Sequence, residues 1–71
     1  MSEHHTYKKI EVVGSSKVSS DDAIRNALEQ CSKTIENMDW YEVIESRGHI
    51  ENGQVGHFQV TIKVGFRIQN S

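Results

Sequence analysis

The sequence predicts an α+β fold of order β-α-β-β: a three-stranded antiparallel sheet with one amphipathic helix against one face. Three observations carry this. From Phe58 to Ile68 every even position is apolar (Phe58, Val60, Ile62, Val64, Phe66, Ile68), while Gln59, Thr61, Lys63, Gly65 and Arg67 stand between them. That period-two pattern marks a long strand with one buried and one polar face. Asn52-Gly53 precedes it, between two strand-like runs, and is the strongest short-range hairpin signal. Ser19-Ser20-Asp21-Asp22 opens a stretch in which Ile24, Ala27, Leu28, Cys31, Ile35 and Met38 trace one helical stripe, spaced as an amphipathic helix requires.

The elements follow in order. The polar start, residues 1–6, is expected to fray, as termini usually do, and His4-His5 is too short for a purification tag. Tyr7 to Val13 reads as the first strand, stopped by Gly14-Ser15-Ser16. A Ser hydroxyl then caps a helix from about Asp21 to about Asn37, and the two Asp side chains favour the positive end of its dipole. Asn37 or Asp39 belongs to the exit turn. Trp40 to Glu51 forms the second strand and Val55 to Ile68 the third.

All 71 residues make one domain, small enough that its own core is marginal and oligomerisation is expected. A strand from Val55 to Ile68 extends roughly 45 Å, whereas a helix of about 17 residues covers only about 25 Å. The apolar stripe therefore overhangs the helix, and another copy of the chain is the economical cover for it. With 35% hydrophobic and 25% charged residues the chain is globular. A net charge of -2 argues against a nucleic-acid partner, which needs a basic face. No apolar run approaches the length of a membrane span. With one Cys and no signal-peptide core, the expected location is cytoplasmic.

An uninterrupted hairpin would set Glu51 opposite Gln54, Arg47 opposite Phe58, Glu45 opposite Val60, Val43 opposite Ile62 and Tyr41 opposite Val64. Opposed residues share a face, so Tyr41 and Val43 join the helix-covered side. Trp40, Ile44 and Ser46 go to the other, opposite Gly65, Thr61 and Gln59. A bulge would invert this pattern beyond its position. The largest aromatic residue thus sits on the face the helix leaves open, with Ile44, Gln59, Thr61, Lys63 and Gly65. Trp40 can be packing in an oligomer interface, where Trp is enriched. It can equally be a stacking platform for a planar heterocycle, with the Gln59 carboxamide reading a polar ring edge.

At this point the chain resembles the dodecin family of small flavin-binding proteins. The resemblance runs through Tyr7 to Gly14, the helix, Asp39-Trp40-Tyr41-Glu42-Val43 and Arg47-Gly48. Its most specific stretch is Gly56-His57-Phe58-Gln59-Val60-Thr61-Ile62-Lys63-Val64-Gly65-Phe66. It implies a sheet wrapped around its helix and twelve protomers assembled as a hollow homododecamer. It also implies flavins bound as stacked pairs between tryptophans of symmetry-related protomers, with a Gln at each ring edge. The matching positions are Trp40 and Gln59. The chain looks like the bacterial kind, so FMN is the expected cofactor, with riboflavin or FAD possible. Arg47 and Arg67 match arginines of that pattern, Lys63 and Ile44 lie on the open face by register, and any of the basic groups can hold phosphate or an inter-subunit ion pair. The implied role is storage, sequestration and photochemical quenching of flavin without catalysis.

Other chemistries are weaker. Cys31 lies on the apolar helix stripe, where a free Cys behaves as a small hydrophobe. In the uninterrupted register His49 and His57 point to opposite faces, which disfavours a metal pair, and no Cys cluster supports one. His57 shares a face with Gln59. Glu36, Asp39, Glu42 and Glu45 read as solvated charges, since no nucleophile or phosphate loop accompanies them. The alternatives to a flavin store are an interaction oligomer without physiological flavin and, third, a flavin-dependent enzyme.

Overall fold

The computed structural model describes residues 4–69. Four elements follow in the expected order: β1 (Tyr7–Ser16), α1 (Ser20–Ser32), β2 (Met38–Glu51) and β3 (Gln54–Arg67). The three strands form one antiparallel sheet of order β1-β3-β2. Its centre is the alternating strand: Val60, Ile62 and Val64 are buried and, with Ala23 and Ala27 of the helix, make the core. Phe58 and Phe66 at either side of that run are half-buried, and Ile68 is exposed. The apolar stripe therefore outruns its cover in both directions. The molecule measures 57 × 20 × 13 Å, against a helix of 13 residues that spans only about 20 Å.

Helix α1 starts where the capping chemistry places it. Ser19 is extended, and its Oγ accepts from the Asp22 backbone N–H at 3.0 Å, satisfying one of the orphan donors of the first turn. Ser16, buried at the end of β1, ties strand to helix: its Oγ donates to Asp22 Oδ2 at 2.6 Å and accepts from Val18 N–H at 2.8 Å. The helix ends at Ser32 rather than near Asn37. Lys33, Thr34 and Ile35 close a tight turn on the carbonyls of Gln30 and Cys31, and the chain reverses at Asn37, whose φ of 65° is left-handed, a conformation Asn tolerates. Met38 thereby leaves the helix and opens β2, where it still packs on the core.

The helix sits lower on the sheet than an Ile and Leu stripe would allow. Its fully buried residues are Ala23, Ala27 and Cys31, while Ile24 and Leu28 flank them. Gly14 permits this approach: a Cβ there would run into the Ala23 carbonyl and the Ala27 methyl. Gly14 is thus a docking point within β1 and not its end. Helix α1 lies against β1 and β3, so Tyr41 and Val43 of β2 are not covered by it. They face the same side as Val64 and Ile62 yet stay about half exposed, at 46% and 50%.

Asn52 and Gly53 both have positive φ, 51° and 75°, as a two-residue type I′ turn demands. The hairpin it closes is not uninterrupted. Register shifts fall between Met38 and Trp40, Val43 and Glu45, and His49 and Ile50, so Asp39, Ile44 and, on β3, Gly56 are extra residues. Each bulge bends its strand and increases its twist, which curves the arm. Between the last two bulges the pairing is displaced by one: Glu45 opposes Thr61, Ser46 opposes Val60, Arg47 opposes Gln59 and Gly48 opposes Phe58. Arg47 therefore belongs to the open face and Ser46 to the helix side, the reverse of the uninterrupted register. The two shifts cancel, so Trp40 still opposes Gly65 and Tyr41 still opposes Val64.

Candidate functional site

The open face of the sheet carries one row of side chains per strand. By register these are Lys9, Glu11 and Val13 on β1, then Gly65, Lys63, Thr61, Gln59 and His57 on β3. Opposite β3 on β2 stand Trp40, Glu42, Glu45, Arg47 and His49. Trp40 lies down across Gly65: a Cβ at position 65 would strike the six-membered ring of the indole. Gly65 is needed for close approach, letting the indole rest flat on backbone. The Tyr7 ring meets the indole edge-on, with centroids 5.3 Å apart and planes at 63°, an arrangement favoured by the two ring quadrupoles. Trp40 nevertheless remains 40% exposed. One broad π surface is held from beneath and from one side, and is otherwise open.

Beside it runs a ladder of charge. Lys9 Nζ donates to Glu42 Oε1 at 2.6 Å, and Lys63 stands between Glu11 and Glu42 in the pairing. The Lys9 hydrogen bond, the Lys9 charge and, more weakly, the Lys63 charge hold the Glu42 carboxyl below its ordinary range against a small desolvation effect. Lys63 is thus set between two carboxylates. Arg47 makes a loose ion pair with Glu45 at 3.7 Å and directly opposes Gln59. Among the described residues no hydrogen bond engages the Gln59 carboxamide, which leaves a donor and an acceptor for another molecule.

These residues form two groups. Trp40, Gly65, Lys63 and Tyr7 are neighbours at one end. Gln59 and Arg47 are a pair six residues further along β3, about 20 Å away at a strand's rise per residue. Ile44 is a bulge residue between them, 51% exposed. Arg67 opposes Tyr7, beyond the indole on the other side. It also borders an open cleft of about 730 Å³ that has Lys8, Lys33 and Phe66 on its walls. A flat ligand stacked on Trp40 therefore cannot touch Gln59 of the same chain. A site using both must be composed from more than one copy.

Tyr7 is the residue sequence reasoning undervalued, whereas the space over Gly65, which the sequence offers to a flat ligand, is taken by the indole itself. Tyr7 was legible only as the start of a strand, since its contact with Trp40 depends on β1 and β2 flanking β3. Among the described residues no group of three or more His, Cys, Asp or Glu is arranged to hold a metal, and no helix is long and apolar enough to cross a membrane.

The fold is a three-stranded sheet with overhanging apolar ends, one helix and an indole open on the uncovered face. The Dodecin family model matches residues 6–69. The chain is 43% identical over 65 residues to the dodecin of Thermus thermophilus, covering 92% of this chain and 94% of that one. The solved dodecin of Streptomyces coelicolor superposes with a TM-score of 0.90 at 48% identity, over 99% of this chain and 100% of its own. A tryptophan-to-phenylalanine variant of the Thermus thermophilus dodecin gives a TM-score of 0.90 at 40% identity, over 94% of this chain and 100% of its own. This chain belongs to the dodecin family.

Proposed function

We propose that the protein is a non-enzymatic flavin store that binds FMN, assembled as a homododecamer. Each isoalloxazine stacks on Trp40 of one chain and has its polar edge read by Gln59 of another. The observation that carries this reading is the indole itself, laid flat over Gly65, braced by Tyr7 and left open on the face the helix does not cover. Packing alone would not require a Gly beneath the ring and an unengaged carboxamide on the same face. The residues fit the group. A flavin presents a large π face, for which an aromatic platform is the natural partner. Its pyrimidine edge alternates donors and acceptors, which a carboxamide complements.

The bulges support the choice of basic partner. They turn Arg47 to the open face opposite Gln59, where a guanidinium suits a phosphate or a ring oxygen. Arg67, beyond the indole, is the second candidate for phosphate, and Lys63, opposite Glu11 and Glu42 in the pairing, is the third. Solved variants of the Thermus thermophilus dodecin replace one tryptophan and two arginines. Those three positions are seven and twenty residues apart, the spacing of Trp40, Arg47 and Arg67 here. Stacked between indoles, the flavin is removed from light chemistry and leaves little room for a substrate, which suits sequestration and photoprotection.

The test is direct. Protein purified without added flavin is expected to be yellow and nearly non-fluorescent, and to release FMN on denaturation, identified by mass spectrometry. Apo protein titrated with FMN and with riboflavin then ranks the two, and FMN binding tighter assigns the phosphate a partner. A colourless protein that leaves flavin fluorescence untouched would support the other reading, an interaction oligomer in which Trp40 is buried by a neighbour.

A further inference from the structure

We propose that His49 and His57 form a two-histidine chelate for a divalent transition-metal ion, separate from the flavin platform. In an uninterrupted hairpin these residues would lie on opposite faces. The extra residue Gly56 turns them to the same one, and they become direct cross-strand partners. Bulges often serve to re-aim a side chain in this way. Their imidazole rings meet at 83° with centroids 6.3 Å apart. Metal–nitrogen bonds of about 2.0–2.1 Å put the centroids of two imidazoles on one ion roughly 4.5–5 Å apart. A small rotation about the side-chain bonds closes that difference without moving the strands.

The donor set selects the ion. Two neutral nitrogens suit Cu(II), Ni(II) and Zn(II), whereas Ca(II) and Mg(II) require oxygen ligands. His49 is exposed and His57 half-buried, so water can complete the coordination. The order of divalent affinities puts Cu(II) first, and it is the probe of choice. The rigid two-stranded frame already sets the imidazoles side by side, so binding orders little that is not ordered beforehand.

The experiment uses the full chain with His4→Ala and His5→Ala, which removes the N-terminal imidazoles from the count. Titration with CuCl2 by calorimetry, with electron paramagnetic resonance of the loaded protein, is expected to show one Cu(II) per chain with two nitrogen ligands. His49→Gln and His57→Gln are each expected to weaken binding at least about tenfold, since losing even an outer-shell partner of a ligand costs 10–100-fold. Gel filtration and FMN titration of the same variants are expected to match the parent. Copper binding unchanged in either Gln variant would overturn the proposal, as would a spectrum without nitrogen coupling. Loss of copper accompanied by loss of FMN binding or assembly would also overturn it, because the pair would then be structural.

Discussion

At the scale of single residues, Trp40 and Gly65 act as one unit, because the indole lies where a Cβ at position 65 would be. Trp40→Ala is expected to abolish flavin quenching and weaken binding roughly tenfold or more, taking base–aromatic stacking at about 1–3 kcal/mol as the analogue. Assembly is expected to persist, and fluorescence titration of the apo variant reads both quantities. Gly65→Ala probes the same unit from below. The methyl group must lift the indole or strain the strand, a clash worth about 1–3 kcal/mol, so flavin affinity should fall although the platform residue is intact. Gln59→Ala leaves the ring edge without a protein partner at a cost of about 1–3 kcal/mol, less where water enters; normal gel filtration with weaker FMN binding is the expected result. Glu42 supplies a pH-dependent counterpart. Its carboxyl is held low by Lys9 and Lys63, so the ion pair contributes above the ordinary carboxylate range and is lost as pH falls through the depressed value. Lys9→Ala is expected to return the Glu42 midpoint toward the ordinary range in an NMR titration.

At the scale of elements, small residues and single extra residues decide more than the large apolar ones. Gly14 brings β1 against the Ala23 carbonyl, a backbone atom that cannot swing aside. Gly14→Ala is expected to lower the denaturation midpoint by the equivalent of about 1–3 kcal/mol, measured on matched oligomers. The strict alternation of β3 and the Asn52-Gly53 turn were legible because a strand's period and a type I′ turn each demand particular residues at fixed places. The helix start was legible from Ser19 for the same reason. Its early end was not, because the apolar positions Ile35 and Met38 continue the helical spacing although Ile35 lies in the turn and Met38 packs from β2. Neither were the bulges at Ile44 and Gly56, whose sequences look like ordinary strand. They settle how the candidate site divides: Trp40 keeps the face read from the sequence only because two displacements cancel, whereas Arg47 changes face because it lies between them. Deleting Ile44 alone should therefore leave Val43 opposite Ile62 and Trp40 opposite Gly65, because only the unpaired residue is removed. Deleting Ile44 and Gly56 together should keep both Trp40 and Arg47 on the open face.

At the scale of the whole molecule, the apolar surface left over is the reason to expect assembly. Val43, Ile50 and Val55 are 50%, 78% and 54% exposed, strung along an arm the helix does not reach. Twelve copies of the 8.1 kDa chain would give a particle near 97 kDa by sedimentation, and mild dilution or denaturant is expected to lose assembly and fold together. A chain 57 Å long and 13 Å thick is almost all surface until its neighbours arrive, with two strand edges unpaired and open to the wrong partners. The newly made copy passes through that state alone, and its length of stay depends on how many sister chains are nearby. Encounter between copies rises at least with the square of their number, whereas proteolysis of a lone copy rises only in proportion. The cellular level of the finished particle is therefore expected to respond more than proportionally to the rate of synthesis. Halving synthesis should cost well over half of the assembled protein.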